Sequence, residues 1–146
     1  KAIDKEGVKV VQCKAVEELV RNSDIICTTT PSTTPVLPDD KELLRGKCII
    51  AIGSYMPEMR EIPDAVLDLV DNVYIELPYA CEESGDLSQP LASGKLTKDR
   101  VKLMHEYLVS GEKEIKEGQT TYFKSVGMGL FDVCIAQKLY EVAKEK

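Results

Sequence analysis

Four short runs of apolar residues, separated by stretches with helical spacing, dominate the hydrophobic pattern of this chain. Residues 24–30 and 47–54 are continuous apolar runs rather than alternating ones, which is typical of strands buried on both faces of a parallel sheet. Residues 72–77 are predicted to form a third buried strand and residues 120–126 a final strand. A shorter strand is predicted over residues 8–11.

Segments with helical spacing lie between these strands, and Val16, Leu19 and Val20 illustrate the spacing by sharing one face of a helix. The predicted helices and helical turns cover residues 1–7, 15–22, 40–46, 63–71, 79–84, 97–110 and 128–146. Residues 85–94 are expected to be mainly loop, and the charged residues 112–118 a solvated surface. Strands that alternate with helices predict an α/β fold with a mainly parallel sheet.

Polar and turn-forming residues follow three of the predicted strands, within residues 28–32, 53–55 and 124–127. In open α/β sheets, ligands bind at the carboxyl ends of the strands. If the three strands are adjacent and parallel, these segments line one crevice with hydroxyls, backbone amides and one lysine, which suits a polar cofactor ring that carries a carboxamide. A threonine-rich strand end that merely enters a loop is the alternative interpretation.

Three carboxylates, those of Glu58, Glu61 and Asp86, are candidate acids near this crevice. An isolated carboxylate on a loop is more often a turn or cap residue, so none of the three is assigned a catalytic role. The sequence contains no GxGxxG, GKS, GKT or GxSxG motif, and the lone GxG at residues 127–129 is more typical of a strand-to-helix turn.

Composition narrows the classes of function. With 146 residues and 43% hydrophobic content the chain can form one compact domain, and no apolar run reaches the length of a membrane span. The net charge of −6, with both signs interspersed, disfavours a nucleic-acid partner. The five cysteines form no CxxC pair and the only histidine is His105, so we expect no metal site and reduced thiols in a cytoplasmic protein.

Four blocks of sequence carry a resemblance to a known family. They read TTTPSTTPVL from Thr28, AIGSYMPEMREI from Ala51, ESGDL from Glu83 and TYFKSVGMGLFD from Thr121. In this order and at these intervals they resemble the ornithine cyclodeaminase and mu-crystallin family, from about Val8 to the carboxyl terminus.

The resemblance implies a Rossmann-type α/β fold in which residues 1–146 are the carboxyl-terminal part of an NAD(P)-binding domain, without its first βαβ unit, and residues 128–146 are the terminal helix. The amino-terminal domain that binds substrate and dimerises would lie outside this chain. So would the glycine-rich phosphate loop, the residue that sorts NAD from NADP, the lysine proton donor and the arginine that holds the substrate carboxylate. We therefore expect a homodimer when the protein is full-length, and no catalytic residue in this chain.

The resemblance also implies which residues contact NAD or NADP. The hydroxyl block would lie along the ribose and nicotinamide, the glycine loop would face the nicotinamide, and the last segment would contact cofactor and substrate. The residues so implied are Thr28, Thr29, Thr30, Pro31, Gly53, Ser54, Tyr55, Ser125 and Val126.

The activity implied is that of an NAD(P)-dependent oxidoreductase acting on small amino or imino acids, of the ketimine reductase or amino acid dehydrogenase type. Two alternatives are an ornithine cyclodeaminase, a lyase that forms proline and ammonia, and a mu-crystallin-like protein that binds NADPH without turnover. Cyclodeaminases carry an aspartate where this sequence has Tyr55 and a lysine where it has Met59, which favours the reductase. The chain by itself is expected to be inactive and to bind dinucleotide weakly or not at all. Without the first two strands of the domain an inner edge of the sheet would be open, which invites self-association.

Overall fold

The fold is a five-stranded sheet in which every pairing is parallel. A computed structural model describes residue 7 and residues 9–111 and 116–144. The strands are β1 (Ile25–Thr28), β2 (Cys48–Ala51), β3 (Val73–Ile75), β4 (Val101–Leu103) and β5 (Thr121–Lys124), and their order across the sheet is β1-β2-β5-β3-β4. The predicted α/β fold with a parallel sheet is confirmed.

Seven helices accompany the sheet within the described residues. They are α1 (Val16–Arg21), α2 (Lys41–Leu44), α3 (Asp64–Leu69), α4 (Ala80–Glu83), α5 (Gly85–Ser93), α6 (Met104–Ser110) and α7 (Gly129–Lys144). Each of α1, α2, α3, α4 and α7 falls within a segment predicted to be helical. None of the described helices is long and apolar enough to cross a membrane.

The hydrophobic core lies against one face of the sheet. Helices α1 to α5 each contribute a fully or nearly fully buried apolar residue to it, namely Val20, Leu44, Val66, Ala80 and Leu87. On the strands, Ile26, Ile49 and Tyr122 occupy neighbouring register positions on this face. Because successive strand residues point to opposite faces, this face takes every second side chain.

The prediction that β1 is buried on both faces is wrong. Ile26 and Thr28 are buried, whereas Ile25 is 64% exposed and Cys27 is also exposed. No described helix covers the second face over this edge strand. Only β3, in the interior of the sheet, is buried at all three of its residues.

Two further predictions are wrong because tertiary contacts override local preference. Residues 85–93 form a helix rather than a loop, since the Ser84 hydroxyl accepts a hydrogen bond from the Asp86 amide and both Leu87 and Pro90 are buried. Residues 97–110 are not one helix: after a 3₁₀ turn at Lys98–Arg100, β4 completes its hydrogen bonds along β3, and α6 begins only at Met104.

The amino-terminal predictions fare differently. Residues 9–11 do not form the expected strand, because no described strand lies beside them, and Val10 and Val11 are exposed. Residues 1–6 of the predicted opening helix, residue 8 of that strand and residues 112–115 of the charged segment lie outside the described residues.

Candidate functional site

The carboxyl ends of three adjacent strands form the candidate site. In the register of the sheet, Thr28 of β1 pairs with Ala51 of β2, and Ala51 pairs with Lys124 of β5. The segments after these three residues therefore leave the sheet at the same edge. This is the convergence that the sequence predicts, and it places residues 28–32, 53–55 and 124–127 together.

Glu61 ties two of these segments to each other. Its side chain is fully buried, and both of its carboxylate oxygens accept two hydrogen bonds. Oε1 accepts from the backbone amide and the hydroxyl of Thr30, at 2.6 and 2.8 Å. Oε2 accepts from the hydroxyl of Thr28 and the amide of Gly53, both at 2.8 Å. One carboxylate thus joins the end of β1 to the loop after β2.

Gly53 is packed against the same contact. A Cβ atom at this position would lie 2.2 Å from the Thr30 nitrogen, 2.3 Å from the Thr30 carbonyl oxygen and 2.6 Å from Glu61 Oε1. Such distances are far below van der Waals contact, so only glycine fits. In the structure this glycine therefore allows close approach of the loop after β1.

A second buried carboxylate, Asp86, supports the segment that carries Glu61. Its Oδ1 accepts hydrogen bonds from the amides of Glu61 and Ile62, at 2.7 and 3.0 Å. Its Oδ2 lies 3.5 Å from Nζ of Lys124. Burial, the largest influence, raises the pKa of Asp86, against the opposing effects of the two amides and of Lys124.

Lys124 does not line the crevice, contrary to the prediction. Its side chain is fully buried, and Nζ donates a hydrogen bond to the Ala51 carbonyl oxygen at 3.4 Å besides its contact with Asp86. Burial lowers the pKa of Lys124, and the neighbouring carboxylates only partly oppose this. The reason for the error is the strand period, which turns Lys124 to the core face together with Tyr122.

Glu76 holds the third segment. It follows β3, and its Oε1 accepts hydrogen bonds from the hydroxyl of Ser125 at 2.8 Å and from the amides of Val126 and Gly127 at 2.6 and 2.9 Å. Its buried Oε2 has no hydrogen-bond partner among the described residues. Glu76 also borders an apolar cavity of about 340 Å³ between the sheet and α6, whose wall includes Phe123 and Met128.

The nine predicted cofactor-binding residues divide by exposure. Thr28, Ser54 and Ser125 are buried, and their hydroxyls are engaged internally: with Glu61, with Met59 and Ser84, and with Glu76, respectively. The exposed or half-buried members are Thr29, Thr30, Pro31, Gly53, Tyr55 and Val126. A ligand at this edge would therefore meet the second group and the backbone of the segments.

This edge fits the polar ring of a nicotinamide cofactor. It offers the exposed Thr29, the half-exposed ring of Tyr55 and, at Glu76 Oε2, a buried acceptor without a partner among the described residues. A carboxamide needs both donors and acceptors of this kind. Among the described residues no group of side chains could hold a metal ion, and none of the five cysteines forms a disulfide.

The sequence does not predict the role of the three buried carboxylates, Glu61, Glu76 and Asp86. Glu61 and Asp86 were candidates only as acids on loops, together with Glu58, which is exposed. Glu76 was not singled out, although it belongs to a strand predicted to be buried on both faces. A carboxylate inside such a run must be hydrogen-bonded when buried, and this rule could have identified it.

Comparison with known proteins adds independent information. The sequence model of the ornithine cyclodeaminase/mu-crystallin family matches residues 1–146. A Delta(1)-pyrroline-2-carboxylate reductase of Bacillus cereus is 36% identical over 146 residues, covering 98% of this chain and 44% of the relative. Rat ketimine reductase mu-crystallin is 33% identical over 129 residues, covering 88% of this chain and 39% of the relative.

Solved structures agree on the fold. The Delta(1)-pyrroline-2-carboxylate reductase of Thermococcus litoralis, solved in complex with NADH and L-proline, superimposes with a TM-score of 0.82 at 24% identity, covering 97% of this chain and 44% of that one. The chain thus spans less than half the length of the relatives it matches.

Proposed function

The chain belongs to the ornithine cyclodeaminase/mu-crystallin family, and from this premise we propose that it is the cofactor-binding part of an NAD(P)-dependent oxidoreductase that acts on small amino or imino acids. The reaction would be of the ketimine reductase or amino acid dehydrogenase type. The observation that carries the proposal is the convergence of three loop segments at the carboxyl edge of β1, β2 and β5, where Glu61 and Glu76 hold them.

The segments that would hold the nicotinamide end of NAD or NADP are those of the resemblance: residues 28–31, residues 53–55, Ser125 and Val126. Thr28, Ser54 and Ser125 would contribute through the backbone, because their hydroxyls are buried and engaged within the protein. When bound, the cofactor supplies or accepts the hydride exchanged with the α carbon of the substrate. The protein residues orient the ring: Glu61 fixes the first two segments and Glu76 the third. The substrate would be a small imino acid, in line with the names of the two reductases among the relatives.

We further propose that residues 1–146 form the carboxyl-terminal part of a Rossmann NAD(P)-binding domain in a longer protein that works as a cytoplasmic homodimer. The catalytic lysine and the carboxylate-binding arginine would belong to the rest of that protein. Under this proposal the 146-residue chain by itself is inactive. The coverage of less than half of each relative supports the division into parts.

The test is a turnover assay on the full-length protein with NADH and with NADPH, using pyrroline and piperideine carboxylates as substrates. Oxidation of the cofactor with either imine is the expected result. Release of ammonia from ornithine without net cofactor change would instead identify a cyclodeaminase, and cofactor binding without turnover would identify a mu-crystallin-like binding protein.

Tyr55 favours the reductase over the cyclodeaminase. This residue is 46% exposed in the loop after β2, at the position where the resemblance places a cyclodeaminase aspartate. A phenol carries no negative charge with which to bind or deprotonate an amine as a carboxylate does, so it would not replace a carboxylate in handling a substrate amine.

A further inference from the structure

We infer that Glu61 is a positioning residue for the cofactor, because it sets the distance and orientation between the two strand-end loops on which the nicotinamide would rest. This inference rests on the proposed function and deepens it, since it names a residue that acts through Thr30 and Gly53. Glu61 itself is fully buried and would not touch the cofactor.

The hydrogen bonds make Glu61 a bridge rather than a simple core residue. Each carboxylate oxygen accepts one bond from a backbone amide and one from a threonine hydroxyl, over distances of 2.6 to 2.8 Å. Oε1 accepts from the loop after β1, while Oε2 accepts from Thr28 at the end of β1 and from Gly53 in the loop after β2. Backbone bonds from Ile52 and Gly53 to the Thr28 carbonyl oxygen join the same strand ends. Glu61 is the side chain that extends this connection to Thr30.

An ionised carboxylate satisfies all four of these donors at once. It offers about four acceptor positions and no donor. Of the ion pairs among the described residues, none includes Glu61, so its charge is compensated at this site by hydrogen bonds. Asp86 in turn fixes the backbone of Glu61 by accepting its amide at 2.7 Å.

Replacing Glu61 with glutamine keeps the shape of the side chain but turns one of its two acceptor oxygens into a donor group. A threonine hydroxyl can rotate and accept a hydrogen bond from the new amide group, but a backbone N–H cannot. Whichever way the glutamine turns, the amide of Thr30 or of Gly53 therefore loses its bond to the side chain of residue 61. The Gly53 amide then keeps only its longer bond to the Thr28 carbonyl oxygen, at 3.2 Å. The loop whose amide loses the carboxylate is held less firmly in its productive position.

The experiment compares E61Q with wild type in the full-length protein. Two readouts are measured: hydrogen exchange at the amides of Thr30 and Gly53 without cofactor, and the Kd, KM and kcat for NADH and NADPH. We expect faster exchange at one of the two amides and about a tenfold rise in Kd and KM, which corresponds to one lost hydrogen bond to a charged group. A purely structural role would lower the folded fraction, and hence kcat, without raising KM.

The matched control is E58Q, the same chemical change at an exposed residue of the same loop, which should leave exchange and KM at wild-type values. E61Q with wild-type KM and exchange would overturn the inference while leaving the proposed function intact. A wild-type protein that binds neither NADH nor NADPH would overturn the proposed function, and with it the inference.

If E61Q does not fold, T28V serves in its place, because it deletes one hydroxyl that donates to Oε2 while keeping a β-branched side chain of similar shape. We expect a rise of about threefold in the KM for the cofactor, smaller than for E61Q because both backbone amides keep their acceptors. An unchanged KM in a folded T28V protein would count against the inference.

Discussion

At the scale of single residues, the candidate site rests on charged side chains that are buried. Lys124 and Asp86 are both fully or almost fully buried and lie 3.5 Å apart, a distance too long for a strong hydrogen bond. Desolvation therefore outweighs their attraction in both pKa values, raising that of Asp86 and lowering that of Lys124. Such a pair adds little net stability, but removing one partner is costly.

The first prediction concerns K124M, which should destabilise the fold by about 3 kcal/mol at neutral pH because it leaves Asp86 charged, buried and unpaired. Loss of Lys124 raises the pKa of Asp86 further above its ordinary 3.8. Because the pKa of Asp86 is higher in the folded protein than in the unfolded chain, protonation of Asp86 favours the folded state. This contribution to stability is complete below pH 3.8 and is lost as the pH rises through the folded-state pKa. The deficit of K124M should thus shrink or reverse when urea unfolding is measured at about pH 4 instead of about pH 7.

K102M provides the control, since Lys102 occupies a strand but is exposed, and its substitution should leave stability within about 0.5 kcal/mol of wild type at both pH values. A deficit for K124M that stays constant from about pH 4 to about pH 7 would show that lost packing, and not the charge of Asp86, is responsible.

The second prediction is that G53A destabilises the protein by about 3 kcal/mol or prevents folding, because its Cβ would lie within 2.3 Å of two backbone atoms of Thr30. Backbone atoms cannot move aside as the end of a flexible side chain can. G129A is the matched control: a Cβ there meets no atom within 4 Å, so it should be neutral or slightly stabilising at the start of α7. Thermal unfolding compares the two, and equal melting temperatures would contradict the prediction.

The sequence predicts where the hydroxyl residues lie at the strand ends, but it does not predict which residues they form hydrogen bonds with. The strand-end hydroxyls of Thr28 and Ser125 were located correctly, yet each is bonded to a distant carboxylate, Glu61 or Glu76, that local pattern cannot pair with it. The pairs are 33 and 49 residues apart in the chain, and such contacts follow from the order of the strands, which periodicity does not reveal.

At the scale of elements, Arg100 closes the carboxyl end of α3. Its guanidinium donates hydrogen bonds to the carbonyl oxygens of Leu67, Val70 and Asp71, at 2.7, 2.6 and 3.1 Å. The last carbonyls of a helix have no partner within the helix, and a cation there also interacts favourably with the helix dipole. A short helix that carries the buried Ala65, Val66 and Leu67 is thereby fixed to the turn before β4.

The third prediction is that R100M lowers the free energy of unfolding by about 2 kcal/mol, because three carbonyl groups lose a charged donor. R45M is the matched control, since Arg45 pairs with the exposed Glu42 and an exposed pair contributes about 0.5 kcal/mol or less. Urea unfolding of both variants gives the comparison. If R100M matched R45M, water would satisfy these carbonyls as well as the guanidinium does.

Elements were predictable where local pattern and tertiary context agree. Strands β1, β2, β3 and β5 follow from apolar runs near their observed positions, and α3 follows from the proline and aspartate at its start. By contrast, β4 lies in a segment with helical spacing and becomes a strand only because β3 presents a free edge beside it. Likewise α5 contains Pro90, a helix breaker, but the burial of Leu87 and Pro90 outweighs that preference.

At the scale of the whole molecule, the two faces of the sheet differ. Five helices cover one face, whereas α6 is the described helix that packs on the other. There the tilted rings of Tyr74 and Tyr107 are in contact, with their centroids 5.1 Å apart. Over β1 that second face is open, and α7 exposes Leu130, Ile135 and Leu139. Uncovered apolar surface next to an unpaired strand edge is a template for association.

The fourth prediction is therefore that the 146-residue chain by itself self-associates at micromolar concentration, which sedimentation velocity measures directly. Ile25 is 64% exposed on β1, which is the outermost strand of the sheet and has no described strand on its outer side. I25K places a charge on that edge and should shift the distribution towards monomer. V109K makes the same change at an exposed residue of α6 and should leave association unchanged. If I25K remained associated while L139K became monomeric, the exposed face of α7, and not the sheet edge, would be the surface that brings copies together.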